Sequence, residues 1–339
     1  MERTRRRVEY VWLDGTLNLP HLRSKTRYIN IDDSYTGVPD WNFDGGSTEQ
    51  GDLKNSDRAL HVVRTYTDPF NEEGLLALCE VRYYDGAPHE SNMRTHLSSL
   101  VEKNRDAEYW VGFEQEFTFI NPANLQPLGF LLSPEKQGQY YCGVGCMNVI
   151  GRYIVDNFEE KCVKAGLDLD GINAEVMPGQ WEWQTSPQAP LKAADDLWMS
   201  RYILERVSEG QAAIVSYDPK PHPEMNGAGC HTNLSTAKMR EFFELDEQVE
   251  LMTHLEVDHK EHMKVCGEGV ERRMTGDCET SHYNTFSWGV GDRGASVRIP
   301  ERVNMEKAGY FEDRRPCANI DPYKLLYSLI SSVNKSKVL

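Results

Sequence analysis

Carboxylates recur along segments that read as β-strands, and a strand alternates its faces with a period of two, so side chains two apart look the same way. In WVGFEQEFTFI, Glu114 and Glu116 share a face with Thr118, while Phe113, Phe117 and Phe119 occupy the other, the face to be packed. In GINAEVMPGQWEWQTS, the Pro178–Gly179 pair can turn the chain, setting Glu175 on one arm and Glu182, Gln184 and Ser186 along one face of the other. In GAGCHTNLS, His231, Asn233 and Ser235 lie opposite Cys230, Thr232 and Leu234, which adds an imidazole. Clustered carboxylates repel one another unless cations lie between them, and hard divalent ions such as Mg2+ or Mn2+ prefer oxygen ligands with an occasional imidazole. One E-x-E pair is ordinarily the solvated face of an edge strand. Three such segments together point to metal binding.

Downstream, arginines stand in turn- and strand-rich text: Arg272 and Arg273 in ERRMTGDCETS, Arg293 in GVGDRGAS, Arg298 in SVRIPE, and Arg314 and Arg315 in GYFEDRRP. The planar guanidinium fork donates in pairs to carboxylates and phosphates. Taken singly, each would be a surface ion pair of little consequence. Beside a metal-type acid set they suggest phosphoryl transfer, where catalysis is largely positioning and charge neutralisation. No G-x-x-x-x-G-K-[ST] loop and no G-x-G-x-x-G after a strand is present, so a nucleotide must be held another way. No G-x-S-x-G elbow or local His/Cys signature supports covalent catalysis.

The elements that must carry these residues follow from periodicity. From Val8 to about Tyr84 the text reads as short strands and turns: VEYVWLDGT, KTRYINI, RTYTDPF and LLALCEVRYY. The first helical spacing, Met93, Leu97, Leu100 and Val101, puts a domain boundary near Pro88, with a small β-rich unit over 1–88 and a larger mixed unit over 89–339. Helices are expected over 151–166, stopping on Gly166, and over 191–210. Strands are expected around 110–120, 172–186, 212–217, 228–235 and 295–300.

The bulk composition sets outer limits. The 339 residues are 39% hydrophobic and 27% charged, an ordinary globular balance with length for two domains. A net charge of −16 disfavours nucleic acid and anionic membrane as partners. The basic cluster Arg3, Arg5, Arg6 and Arg7 reads as a solvated, frayed end. Apolar runs such as Leu75–Cys79 are too short to span a bilayer and no apolar signal segment follows the arginines, so a cytoplasmic protein is expected. The 8 cysteines lack C-x-x-C pairing and are expected reduced and mostly buried.

WNFDGGST, FEQEFTF, NAEVMPGQWEWQ, NGAGCHTNLS, SVRIP and GYFEDRRP resemble, in this order, the signature segments of type II, eukaryote-like glutamine synthetases, and the likeness covers nearly the whole chain. The resemblance implies an α+β architecture: a small β-grasp N-terminal domain, and a larger catalytic domain whose curved antiparallel sheet and helices form half of a funnel completed by the next subunit. It implies a homo-oligomer of two stacked pentamers, here without the N-terminal helical extension of many type II members. It implies ATP and Mg2+ (or Mn2+) as cofactors and glutamate and ammonium as substrates.

Motif by motif, Glu116, Glu175 and Glu182 resemble ligands of the metal that orients glutamate and ammonia. Glu114, His231 and Glu312 resemble ligands of the metal on the ATP phosphates. Arg273 and Arg314 match positions that hold the glutamate carboxylates, and Asn226 with Gly227 the amino-acid pocket. Arg293 and Arg298 match positions that neutralise the transferring phosphoryl group. Asp44 matches the residue that takes ammonium and its proton, and Glu279 the flap acid. Glu182, Asn233, Ser235, Tyr310, Phe311 and Glu312 fall in nucleotide-contacting segments. The departures are Gly46 for a serine, Met225 for a tryptophan, Cys278 for a histidine and Glu301 for an arginine; none removes a metal ligand. Related γ-glutamyl ligases using other amines, guanidino kinases and a relative that has lost catalysis remain as alternatives. Asp44 and Glu279 favour ammonia, and the full ligand set disfavours the last.

Overall fold

A computed structural model describes residues 4–31, 37–130 and 137–339. The chain opens with β1 (Thr4–Leu13), β2 (Leu22–Ile31), β3 (Trp41–Asp44), β4 (Asp57–Thr67) and β5 (Leu75–Arg82), which form one sheet in the order β2-β1-β5-β4-β3. Only β1 and β5 run parallel; the other pairs are antiparallel. Period-two alternation gives this sheet two apolar faces. Val8, Tyr10, Trp12, Phe43, Leu60 and Val81 close a small core of their own, whereas Val11, Tyr66, Leu76 and Leu78 turn into the main core. The expectation of a frayed arginine end is corrected here. Arg5, Arg6 and Arg7 pair in register with Asn30, Ile29 and Tyr28, and Arg7 bridges Glu9 and Asp68 at 2.6 Å each. A ladder partner and buried acids hold residues that composition alone reads as solvated; Arg3 lies outside the described residues.

The rest of the chain is mixed. In order come α1 (Met93–Lys103), β6 (Trp110–Ile120), α2 (Arg152–Ala165), β7 (Leu169–Ala174), β8 (Gln180–Thr185), α3 (Pro190–Ser208), β9 (Ile214–Ser216) and β10 (Cys230–Ser235). Then follow α4 (Ala237–Glu241), α5 (Leu245–Val257), α6 (His259–Met263), α7 (Val270–Arg273), β11 (Trp288–Val290), β12 (Val297–Ile299), α8 (Glu301–Glu306), β13 (Phe311–Asp313) and α9 (Pro322–Val333). The strands make an eight-stranded sheet, β11-β12-β13-β10-β6-β8-β7, with β9 paired to β6. α2 stops on Gly166 in the left-handed conformation (φ 85°), as its position predicts. Phe113, Phe117, Phe119, Trp181 and Trp183 fill the core behind the sheet and meet Phe158 of α2. That leaves the opposite side of β6 and β8 for the acids.

A buried polar knot ties the first sheet to the helices. Asp195 on α3 accepts from Arg94 (2.8 and 2.9 Å), from Arg64 of β4 (3.1 Å) and from the Tyr323 hydroxyl (2.7 Å). Tyr66 adds a bond to Asp196 at 2.9 Å. Two arginines and a tyrosine hydroxyl on one carboxylate meet the condition for burying that charge. No helix among the described residues is long and apolar enough to cross a membrane. All eight cysteines are free thiols, five of them buried.

Candidate functional site

Strand register assembles the site. Across β7, β8 and β6, Asn173, Glu182 and Glu116 face one another in a row. One step along, Gln184, Glu114 and His231 form the next row across β8, β6 and β10. A third row joins Asn233, Glu312 and Arg298 across β10, β13 and β12. Cross-strand neighbours sit about 5 Å apart, close enough for side chains to share one ligand. Glu175 enters from the β7–β8 turn, where Gly179 adopts φ 72°.

Two clusters result. Glu116, Glu175 and Glu182 can each offer an oxygen within 4.8 Å of the others, and Glu114, His231 and Glu312 do the same with two carboxylates and an imidazole. Burial raises all three acids of the first set above the ordinary carboxylate range; repulsion from Glu116 adds to the rise at Glu175 and Glu182, and Arg273 works against it at Glu116. Three acids held at such cost are matched to a hard cation, and the oxygen-plus-imidazole set fits one as well. In the second cluster, His231 Nδ1 lies 3.5 Å from Glu114 and 3.4 Å from Glu312. Burial and then Arg314 hold His231 well below the usual histidine range, which leaves it neutral as a ligand must be.

The cations surround these acids without cancelling them. Glu312 accepts from Arg298 at 2.8 Å and from Arg314 at 2.6 Å, and Arg314 Nε donates to the Arg293 carbonyl at 3.1 Å. Arg273 is buried, with Nη1 on the Arg314 carbonyl (3.1 Å) and Nη2 at 3.1 Å from His231 Nε2. It reaches that place because Gly229 has no side chain: a Cβ there would stand 2.5 Å from Arg273 Nη2. Gly229 also exchanges main-chain and side-chain bonds with Glu116, at 2.9 and 2.8 Å.

A cavity of about 580 Å³ joins most of the expected residues: Glu114, Glu116, Glu175, Glu182, His231, Asn226, Gly227, Arg273, Glu279, Arg293 and Arg314 all line it. A second, of about 490 Å³, is lined by Trp110, Asn233, Ser235, Arg240 and Tyr310, and shares Glu114 and Gln184 with the first. Beside it the Arg240 guanidinium stacks over Trp110 at 4.1 Å. Asn233 Oδ1 and Arg298 Nε are buried with no partner among the described residues, the condition of groups that await a polar ligand.

Four expected residues line neither cavity, and two of them, Arg298 and Glu312, pair with each other at 2.8 Å. Phe311 is wholly buried in the core, so only its main chain can face a ligand. Asp44 lines neither cavity; it caps the turn over 45–48, accepting from Gly46 N and Ser47 Oγ at 3.0 Å each, and is exposed. Cys278 and Glu279 adopt φ 53° and 60°, a run of two strained residues on the loop that borders the cavity. Glu301 opens α8, where an acid suits the helix N-terminus. Sequence reasoning missed Asn173, Tyr141, Trp110 and Arg240. Asn173 carried a signal, two residues before Glu175 on the same strand face.

Known proteins resemble this chain over most of its length. The family model for "Glutamine synthetase, catalytic domain" matches residues 90–256. A glutamine synthetase of Streptomyces viridochromogenes is 44% identical, covering 96% of each chain. A cytosolic isozyme of Pinus sylvestris is 42% identical over 93% of this chain and 90% of its own, and a glutamine synthetase of Emericella nidulans 44% identical over 94% and 89%.

Proposed function

The chain belongs to the glutamine synthetase family and is a glutamate–ammonia ligase, and from that premise we propose which of its residues carry each step. Glutamate lies in the larger cavity with its carboxylates on Arg273 and Arg314 and its amino end against Asn226 and Gly227. Arg273 is suited to this, since its partners in the chain are carbonyls and a neutral imidazole, which leave its charge for a substrate carboxylate. ATP lies across Glu114 into the second cavity, with Asn233, Ser235, Tyr310 and the main chain at Phe311 and Glu312 as contacts. Divalent cations, Mg2+ or Mn2+, held by Glu116, Glu175 and Glu182 and by Glu114, His231 and Glu312, offset the charge of phosphate and carboxylate when bound.

The γ-carboxylate oxygen of glutamate forms a bond to the γ-phosphorus as the bond to ADP breaks, giving γ-glutamyl phosphate. Arg293 and Arg298 spread the charge that develops on the phosphoryl oxygens. Ammonium is drawn to Asp44 and Glu279, gives up a proton there, and the ammonia attacks the acyl carbon as phosphate leaves. Glu279, on the strained loop, closes over the intermediate and limits its hydrolysis.

Residues 1–88 form a β-grasp domain and residues 89–339 the catalytic domain with a curved sheet that is antiparallel except for the parallel pair β11–β12. The protein works in the cytoplasm as a homo-oligomer, two stacked pentamers, in which the Asp44 of one subunit completes the site of the next. The separation of Asp44 from both cavities of its own chain supports that arrangement. One observation carries the reading as a whole: five of the six residues of the two three-ligand clusters line one cavity, with Arg273 and Arg314 on its wall and the sixth, Glu312, bonded to Arg314. The test is phosphate release from ATP by the purified protein. It should require both glutamate and ammonia, and hydroxylamine in place of ammonia should yield the hydroxamate; ATP cleavage indifferent to glutamate would contradict the assignment.

A further inference from the structure

Two carboxamides lie between the acids of the first cluster. Gln184 Nε2 donates both of its hydrogens, one to Glu182 Oε1 and one to Asn173 Oδ1 at 2.8 Å. Asn173 Nδ2 donates onward to Glu175 Oε1 at 2.9 Å. The orientation of both amides follows from the ends of this chain. As ligands of a cation Glu182 and Glu175 must be ionised, and an ionised carboxylate only accepts, so Gln184 then turns its nitrogen to Glu182 and Asn173 its nitrogen to Glu175, which leaves the Asn173 oxygen for Gln184. The result is a closed path, Glu182–Gln184–Asn173–Glu175, spanning the β7–β8 hairpin.

The backbone makes room for it. β7 is irregular between Leu169 and Gly171, and Gly171 pairs with Gln184. A Cβ on Gly171 would stand 2.5 Å from Gln184 Oε1, and among the described residues, its chain neighbours aside, only the Gln184 Cδ also comes within 4 Å of it. The glycine is therefore a bed for the Gln184 carboxamide.

We propose that Gln184 and Asn173 are positioning residues, a carboxamide relay that locks the Glu175 and Glu182 carboxylates at a fixed separation and so presets the divalent-cation site they form with Glu116. The proposal rests on the reading of that cluster as a metal site. Each relay bond takes one oxygen of its carboxylate, so neither group is free to swing away from its neighbour despite their mutual repulsion. A site preset in this way binds its ion without ordering its ligands at the same time. Hydrogen-bond partners of metal ligands are worth roughly 10- to 100-fold in metal affinity, and that is the size of effect expected here.

The test is Mn2+ binding to the full-length assembled protein without substrates, followed by the resonance signal of free Mn2+. The wild type should show two classes of site, and Glu182→Ala should remove one of them. Gln184→Leu should weaken that same class by roughly 10- to 100-fold and leave the other unchanged. Asn173→Ala should do likewise, and the double variant should lose no more than the worse single one, because one relay is broken in each case. Gly171→Ala, which presses on the Gln184 carboxamide alone, should reproduce the effect, and it decides the matter if Gln184→Leu does not assemble. Unchanged Mn2+ affinity in Gln184→Leu and Gly171→Ala, or an equal fall in both classes, overturns the relay while leaving the metal site standing. A wild type in which Glu182→Ala removes no Mn2+ overturns the metal reading itself.

Discussion

Glu182→Gln should make the metal-free protein more stable while destroying its turnover. Burial, then Glu116, Glu114 and Glu175, push the Glu182 carboxyl up to about 9. A raised acid pKa means that the folded chain binds more protons than the unfolded one above the ordinary carboxylate value of 4.5, so stability falls as pH rises from there towards about 9. A pH of 7.5 lies about three units above that ordinary value and still below the folded one, and at about 1.4 kcal/mol per unit the penalty has a ceiling near ~4 kcal/mol. The penalty is shared with Glu116 and Glu175, so removing one titrating carboxyl should recover about 1–3 kcal/mol. The assay is guanidinium unfolding in a chelator at pH 7.5 and pH 4.5, at one protein concentration because assembly adds to apparent stability. The variant should exceed the wild type at pH 7.5 and match it at pH 4.5. Mn2+ should then stabilise the wild type more than the variant. A variant less stable than the wild type at pH 7.5 in chelator would refute the idea that these acids store repulsion for a cation.

Glu279→Ala should spare glutamate-dependent ATP cleavage more than glutamine formation, and an equal fall in phosphate and glutamine would remove the proposed flap role. Asp44→Ala and Glu114→Ala chains should each be inactive alone, yet about a quarter of the sites should recover in randomly mixed rings purified after co-expression; no recovery in verified mixed rings would deny a shared site. Glu205, on α3, is pushed up by burial and then Glu209 to about 7. Its contribution therefore falls as pH rises from the ordinary carboxylate value through 7, so Glu205→Gln should raise the melting temperature at pH 8 and leave it nearly unchanged at pH 4.5; a lower melting temperature at pH 8 would refute this.

How much could be read from the residues follows from the range of each signal. Strand alternation placed Glu114 and Glu116 on one face and their phenylalanines on the other, and Pro178–Gly179 marked the turn that brings Glu175 towards Glu182. Alternation is silent on register, however, and a slip of one residue in β6–β8 would separate Glu116 from Glu182. The two-cluster division was therefore reached through the resemblance, not through spacing. Arg273 has no local pattern at all and reaches His231, 42 residues away in sequence, whereas Arg314 pairs with Glu312 only two residues before it. β3, four residues long, is too short for periodicity, and α4, α6 and α7 are single turns or little more. The arginine end misled because ladder pairing with β2 outweighs composition.

The central claim is that a glutamate oxygen becomes the nucleophile towards ATP in the cavity walled by these clusters. Glutamate labelled with ¹⁸O in its γ-carboxylate, turned over with ATP and ammonia, tests it directly. If the carboxylate attacks the γ-phosphorus and phosphate then leaves from the acyl carbon, each phosphate released carries one labelled oxygen, and the glutamine keeps the other. Phosphate without label, alongside normal glutamine formation, would show that no γ-glutamyl phosphate forms and would contradict the account.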